Sequence, residues 1–69
     1  MKLWIARDKD NSLSLCNHEQ VYDDFIDSWE QPSEYYDDDY SFYAYIPEDL
    51  FPEVTFENSP QEVELVIKK

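Results

Sequence analysis

Five groups of residues in this chain have types and spacings that could support chemistry. Asp8, Asp10, Ser12, Ser14, Cys16 and Glu19 fall at positions 1, 3, 5, 7, 9 and 12 of a calcium-loop register, offering hard oxygen ligands. Leu13 stands where such a loop needs glycine, and the flanks alternate like strands, so the register reads as the polar tip of a hairpin. Cys16 and His18 could set a nucleophile beside a base, yet no third group is placed to orient the pair. Asp37-Asp38-Asp39 could attract a cation, but consecutive carboxylates point in different directions and read as a solvated loop. Paired carboxylates for acid–base work are plentiful, though a chain this short has little room for a desolvating pocket. Last come the aromatic residues interleaved with acids, of which Tyr35 and Tyr36 beside Asp37 are the clearest case. Their chemistry is that of an interface: rings that anchor and carboxylates that pair with a partner's cations.

The charge that accompanies these groups is extreme. Among 69 residues, 17 are Asp or Glu and 5 are Lys or Arg, a formal net charge of −12. Phosphates would be repelled, which argues against direct binding of nucleic acid or of an anionic membrane. The basic residues all lie near the ends: Lys2, Arg7 and Lys9, then Lys68 and Lys69. Every acidic residue but Asp8 falls between Asp10 and Ile67, densest from Glu19 to Asp39. Self-repulsion there opposes compaction. The 42% hydrophobic content, with two Trp, six Tyr and four Phe, nevertheless supplies a small core.

Usual staples are missing. A single cysteine excludes an internal disulfide, and one histidine leaves no Cys/His cluster for a metal. The free thiol, and an N-terminal run too short for a secretory core, favour the cytoplasm. No stretch approaches the roughly 18–20 apolar residues of a membrane span. A phosphate-cradling glycine loop is excluded, because glycine is absent altogether. The expectation is a non-enzymatic protein without cofactors.

These groups need elements to hold them. Leu3 and Ile5 alternate with Lys2, Trp4 and Ala6, and Leu13 and Leu15 alternate with Ser12, Ser14 and Cys16. Around the polar Asp8–Ser12 turn this predicts an N-terminal β-hairpin. Val21, Tyr22, Phe25, Ile26 and Trp29 stand at helical spacing, predicting a short helix over Glu19–Glu30 that Pro32 closes. An irregular loop competes with it, since Asp and β-branched residues lower helix propensity. Gln31–Asp39 reads as an exposed loop, and Tyr40–Ile46 as the clearest strand. The tyrosine face of that strand is either wet or covered by the acidic segment. Pro47 opens a helical turn, with Leu50 and Phe51 anchoring it to the core. Val54–Phe56 reads as a short strand and Glu62–Lys68 as a final one. The fold class expected is α+β: one domain over residues 1–69, with an antiparallel sheet of three to five strands and one or two short helices.

Leu3-Trp4-Ile5-Ala6-Arg7-Asp8-Lys9-Asp10 and the segment from Phe51 to Pro60 resemble small uncharacterised acidic proteins of gut bacteria and their mobile elements. The resemblance covers about a quarter of the chain. It implies a phage- or mobile-element-linked role and carries no site residues. Together the residues point to a protein-binding module that docks a carboxylate face on a basic partner surface. A special case is nucleic-acid mimicry, with carboxylates occupying the cleft of a nucleic-acid-binding protein or inhibiting it. The contact residues expected are Asp23, Asp24, Asp27, Glu30, Asp37, Asp38 and Asp39, with Tyr35 and Tyr36 as anchors. The alternative is a structural subunit or weak homodimer, joined through an edge strand, whose acidity serves solubility.

Overall fold

The computed structural model describes residues 1–68. The predicted N-terminal hairpin forms as expected: β1 (Lys2–Arg7) pairs antiparallel with β2 (Leu13–Cys16), Arg7 opposite Leu13 and Trp4 opposite Cys16. Its turn needs a left-handed residue, and with no glycine in the chain Asn11 takes φ 80°. Four further strands follow: β3 (Val21–Asp23), β4 (Ser28–Glu30), β5 (Tyr43–Ile46) and β6 (Gln61–Glu64). The main sheet has the order β5-β2-β1-β6, antiparallel throughout, while β3 and β4 form a separate two-stranded hairpin.

The fold is therefore all-β, and the α+β expectation is corrected. No α-helix occurs among the described residues; one 3-10 turn spans Ser33–Tyr35. The segment read as a helix over Glu19–Glu30 is the β3–β4 hairpin, with Tyr22 opposite Trp29. Its helical spacing arises from reading across a turn, because Asp24–Asp27 reverses the chain and Asp27 sits at φ 57°. The residues after Pro47 make a β-turn closed by the Leu50 amide on the Pro47 carbonyl at 3.1 Å, not a helical turn. Val54–Phe56 is not a strand but the link between two turns, closed by the Val54 amide on Phe51 and the Ser59 amide on Phe56. The strand expected over 40–46 begins at Tyr43, and the final strand ends at Glu64, although Leu65 still bonds Met1.

Alternation in the main sheet sorts its side chains into two faces. Leu3, Ile5 and Arg7 share one face with Leu13, Leu15, Ile46 and Val63, and the buried cluster of Ile5, Leu13 and Val54 lies there. Val54 belongs to the segment 47–60, which covers this face. The opposite face is lined by Ala6, Ser14 and Cys16, all fully buried although small or polar. Gln20 covers it, donating from its amide to the Trp4 and Ser14 carbonyls. Trp29 joins the cover from the β3–β4 hairpin, its carbonyl accepting the Tyr43 hydroxyl at 2.7 Å. The tyrosine face is thus covered by the acidic segment at Tyr43, while Tyr45 stays exposed. The sheet is sandwiched between two loop-rich layers.

Candidate functional site

Three consecutive residues at the end of β1 fix both layers. Arg7 points to the apolar side and is buried, and its guanidinium donates to five backbone carbonyls. Nε bonds Val54 at 2.6 Å; Nη1 bonds Asn11 at 3.0 Å and Glu48 at 2.9 Å; Nη2 bonds Leu50 at 3.0 Å and Phe51 at 3.1 Å. Carbonyl dipoles, rather than a carboxylate, compensate this charge. Leu50 and Phe51 were expected to anchor by their side chains, but those are exposed and the anchorage runs through their carbonyls. The same grip holds Phe51 at φ 51°, a left-handed conformation unusual for a bulky residue.

Asp8 turns the other way. Its Oδ1 accepts the Trp29 amide at 2.8 Å and its Oδ2 accepts the Ser28 hydroxyl at 3.1 Å, tying β4 to β1. Lys9 completes the set: its ammonium lies 3.0 Å from Asp27 and 5.1 Å from the centre of the Phe56 ring. Phe56 in turn meets Tyr22 and Trp29 edge-on or tilted, so an aromatic cluster bridges the two layers. An open cleft of ≈ 720 Å³ runs beside these residues, lined by Arg7, Lys9, Glu48, Asp49 and Phe56 among others.

The hairpin so held carries one group of the expected contact residues. Asp23, Asp24 and Asp27 surround its tip, all exposed. The Asp23 carboxylate accepts the Phe25 amide at 2.9 Å, and Asp27 accepts the Tyr22 hydroxyl, which shapes the turn. At the tip Phe25 is 93% exposed and Ile26 52% exposed. Helical spacing grouped both with Val21, Tyr22 and Trp29; the turn presents them to solvent between carboxylates. Glu30, at the end of β4, is half-buried with its carboxylate 3.4 Å from the Tyr43 hydroxyl, and so belongs to the packing more than to the surface.

The second group lies on the loop after the 3-10 turn. Tyr35 is half-buried and stacks on His18 with ring centres 3.6 Å apart, so it is a packing residue. Tyr36, Asp37 and Asp39 are exposed. Asp38 accepts the Tyr40 amide at 2.9 Å and lies 3.8 Å from His18 Nε2. The loop is well bonded. Asn17 holds the Tyr40 carbonyl and the Phe42 amide, and Gln31 donates to the Ser41 hydroxyl. The two groups of carboxylates are thus carried by different elements, Asp23, Asp24 and Asp27 by the β3–β4 hairpin and Asp37, Asp38 and Asp39 by the loop after the 3-10 turn.

The other groups singled out from the sequence are dispersed. Asp8 is engaged with β4, Asp10 accepts the Ser12 amide, and Ser14 and Cys16 are buried, so the calcium register is not gathered around one point. That Ser12 amide also holds the Asp10 carboxyl below its ordinary range. Burial pushes the Cys16 thiol up, the reverse of an activated nucleophile, and His18 turns its ring to Tyr35 and Asp38. Burial also pushes the Tyr43 phenol well above its ordinary value.

Sequence reasoning missed Arg7 and Asp8 as the residues that position the surface. The signal for Arg7 was present, because it keeps the period of Leu3 and Ile5 and so points with them. Compared with known proteins, the chain matches no family model, no curated protein and no solved structure.

Proposed function

We propose that the chain is a small protein-binding module whose acidic surface docks on a basic region of a partner protein, with the β3–β4 tip at its centre. The observation that carries this reading is Phe25, almost fully exposed between Asp23, Asp24 and Asp27 on a hairpin that Asp8 and Lys9 pin to the sheet. A bulky aromatic left in water on a pinned element is suited to entering an apolar pocket, and three flanking carboxylates suit a rim of Lys and Arg. Tyr36, Asp37 and Asp39 supply a second acidic patch for a wider contact. Inhibition of a nucleic-acid-binding protein by phosphate mimicry is the special case in which that basic region is its nucleic-acid cleft. A phage or mobile-element setting for it rests on the sequence resemblance alone.

Affinity capture with the wild-type chain and with Phe25→Ala and Asp23→Asn/Asp24→Asn variants tests the proposal. A partner bound at about 0.05 M salt should be released near 0.5 M, as screening removes the electrostatic contribution. Each variant should lose it at low salt. A partner held equally by all three chains would place the contact elsewhere. For the mimic, the captured protein's nucleic-acid binding should be competed by the wild-type chain and spared by the Asp variant.

A further inference from the structure

We propose that two copies of this chain pair through the open edge of β6, antiparallel and about a two-fold axis at Leu65, to make one continuous eight-stranded sheet. β6 ends the strand order, and only one of its sides is used. Leu65 donates its amide to the Met1 carbonyl at 2.8 Å and accepts the Met1 amine at 3.1 Å, so Met1 and Leu65 are a hydrogen-bonded pair. Alternation then turns the backbone groups of Gln61, Val63 and Leu65 toward β1 and those of Glu62, Glu64 and Val66 outward. Beyond the strand, Leu65, Val66 and Ile67 are 60, 69 and 86% exposed. An unpaired edge that runs into exposed apolar residues is a template for another strand.

The sequence of that edge selects its partner. Outward-facing residues must bond outward-facing residues, which restricts self-pairing to alternate registers. Centring on Val63 or on Glu64 sets glutamates against glutamates, or Glu64 against itself; centring on Val66 pairs Glu64 with Lys68 but engages only residues 64–68 of the described chain, leaving Glu62 and Val63 out. Centring on Leu65 sets Glu62 opposite Lys68, Val63 opposite Ile67 and Leu65 opposite Leu65. Opposite charges and apolar groups meet in these pairs, each of the kind that stabilises neighbouring strands, and Glu64 against Val66 is the one mixed pair. Val63, Leu65 and Ile67 lie on the face that carries Leu3 and Ile5, so the two apolar faces become continuous. The edge is locally balanced in charge, with Lys2 and Lys68 against Glu62 and Glu64. Repulsion between the copies therefore comes from their distant acidic parts and is screened by salt. The other edge strand, β5, stops at Pro47 and has no such extension.

Sedimentation from about 10 µM to about 1 mM, in low salt and in about 0.5 M salt, tests this. The wild-type mass should approach that of two chains at the upper concentrations, and more readily in high salt. Leu65→Lys should keep the chain monomeric. Glu62→Lys and Lys68→Glu should each weaken the dimer about tenfold, two symmetric cross-strand pairs acting together, and the combined charge swap should restore it. Leu65, Glu62 and Lys68 are exposed, so circular dichroism should show all variants folded. A monomer at 1 mM in high salt would overturn the proposal. So would a dimer that Leu65→Lys leaves intact, or a swap that restores nothing. Salt acts oppositely on the acidic docking surface, so failure of either reading is seen without the other.

Discussion

At the scale of single residues, the molecule depends on one buried cation. Arg7 occupies an apolar position in β1 and spends its donors on the carbonyls of Asn11, Glu48, Leu50, Phe51 and Val54. Replacing it with methionine keeps the volume and leaves those carbonyls without their donor, at about 1–3 kcal/mol for each one that water does not reach. A chain of this size has on the order of 3–10 kcal/mol of total stability. Arg7→Met should therefore be largely unfolded at 25 °C by circular dichroism. Arg7→Lys should recover only part, since an ammonium reaches fewer carbonyls. A variant melting within a few degrees of wild type would mean that the segment 47–54 holds without it. Tyr43 gives a second test. Its phenol is pushed up by burial, so the neutral form favours folding. That contribution is complete below the ordinary value of 10.0 and is lost as pH rises beyond it toward the folded value. Tyr43→Phe should melt lower at pH 7, by the roughly 1 kcal/mol of its bond to the Trp29 carbonyl. Between pH 9 and 11 it should lose less stability than wild type. Equal losses in the two chains would leave Tyr43 out of the alkaline transition.

At the scale of elements, β3–β4 is the piece whose placement matters most for docking. Two three-residue strands are too short to stand alone, and the carboxylate of Asp8 holds them. Asp8→Ala removes two charge-assisted acceptors, about 1.5–3 kcal/mol each at most. Hydrogen exchange should then speed selectively at the Trp29 amide and its neighbours while β1 and β2 stay protected. Uniform acceleration across the sheet would instead make the hairpin part of one cooperative unit. The same brevity explains what the sequence could reveal. The β1–β2 hairpin was legible because both strands run long enough to alternate and their apolar residues share a face. Val21–Asp23 and Ser28–Glu30 are too short to alternate, so Val21, Tyr22, Phe25, Ile26 and Trp29 matched a helix across the turn by coincidence of spacing. Three of the expected contact residues, Asp23, Asp24 and Asp27, do stand together. Glu30 and Tyr35 do not join them, because contacts distant in sequence, with Tyr43 and with His18, draw them into the packing. Burial of Ser14 and Gln20 was likewise not legible, since each is satisfied by partners that only the fold supplies.

At the scale of the whole molecule, the charge decides between an interface and a coat. Pairing of β1 with β6 gathers the ends, yet Arg7 is buried, Lys9 is committed to Asp27 and Lys2 lies beside Glu62, so the basic rim among the described residues is thin. The net charge, those cations included, is −12. Salt acts on stability in two directions. It weakens the exposed pairs Lys2–Glu62 and Lys9–Asp27, each worth about 0–1 kcal/mol. It also screens repulsion among the carboxylates, whose spacing across a small domain is comparable to the roughly 10 Å Debye length at 0.1 M. With so few cations to pair, screening should win. Raising NaCl from about 0.02 to 0.5 M should lift Tm by about 5 °C, the equivalent of roughly 1 kcal/mol in a domain this size. A falling Tm would show that the ion pairs dominate. The tip carboxylates can then be judged by the same measurement. At low salt Asp23→Asn/Asp24→Asn should melt higher than wild type, because it removes repulsion, while losing the captured partner. Stability gained and binding lost together would mean that the charge at the tip is kept for docking at a cost in stability. Stability gained with binding intact would make those carboxylates a solubilising coat.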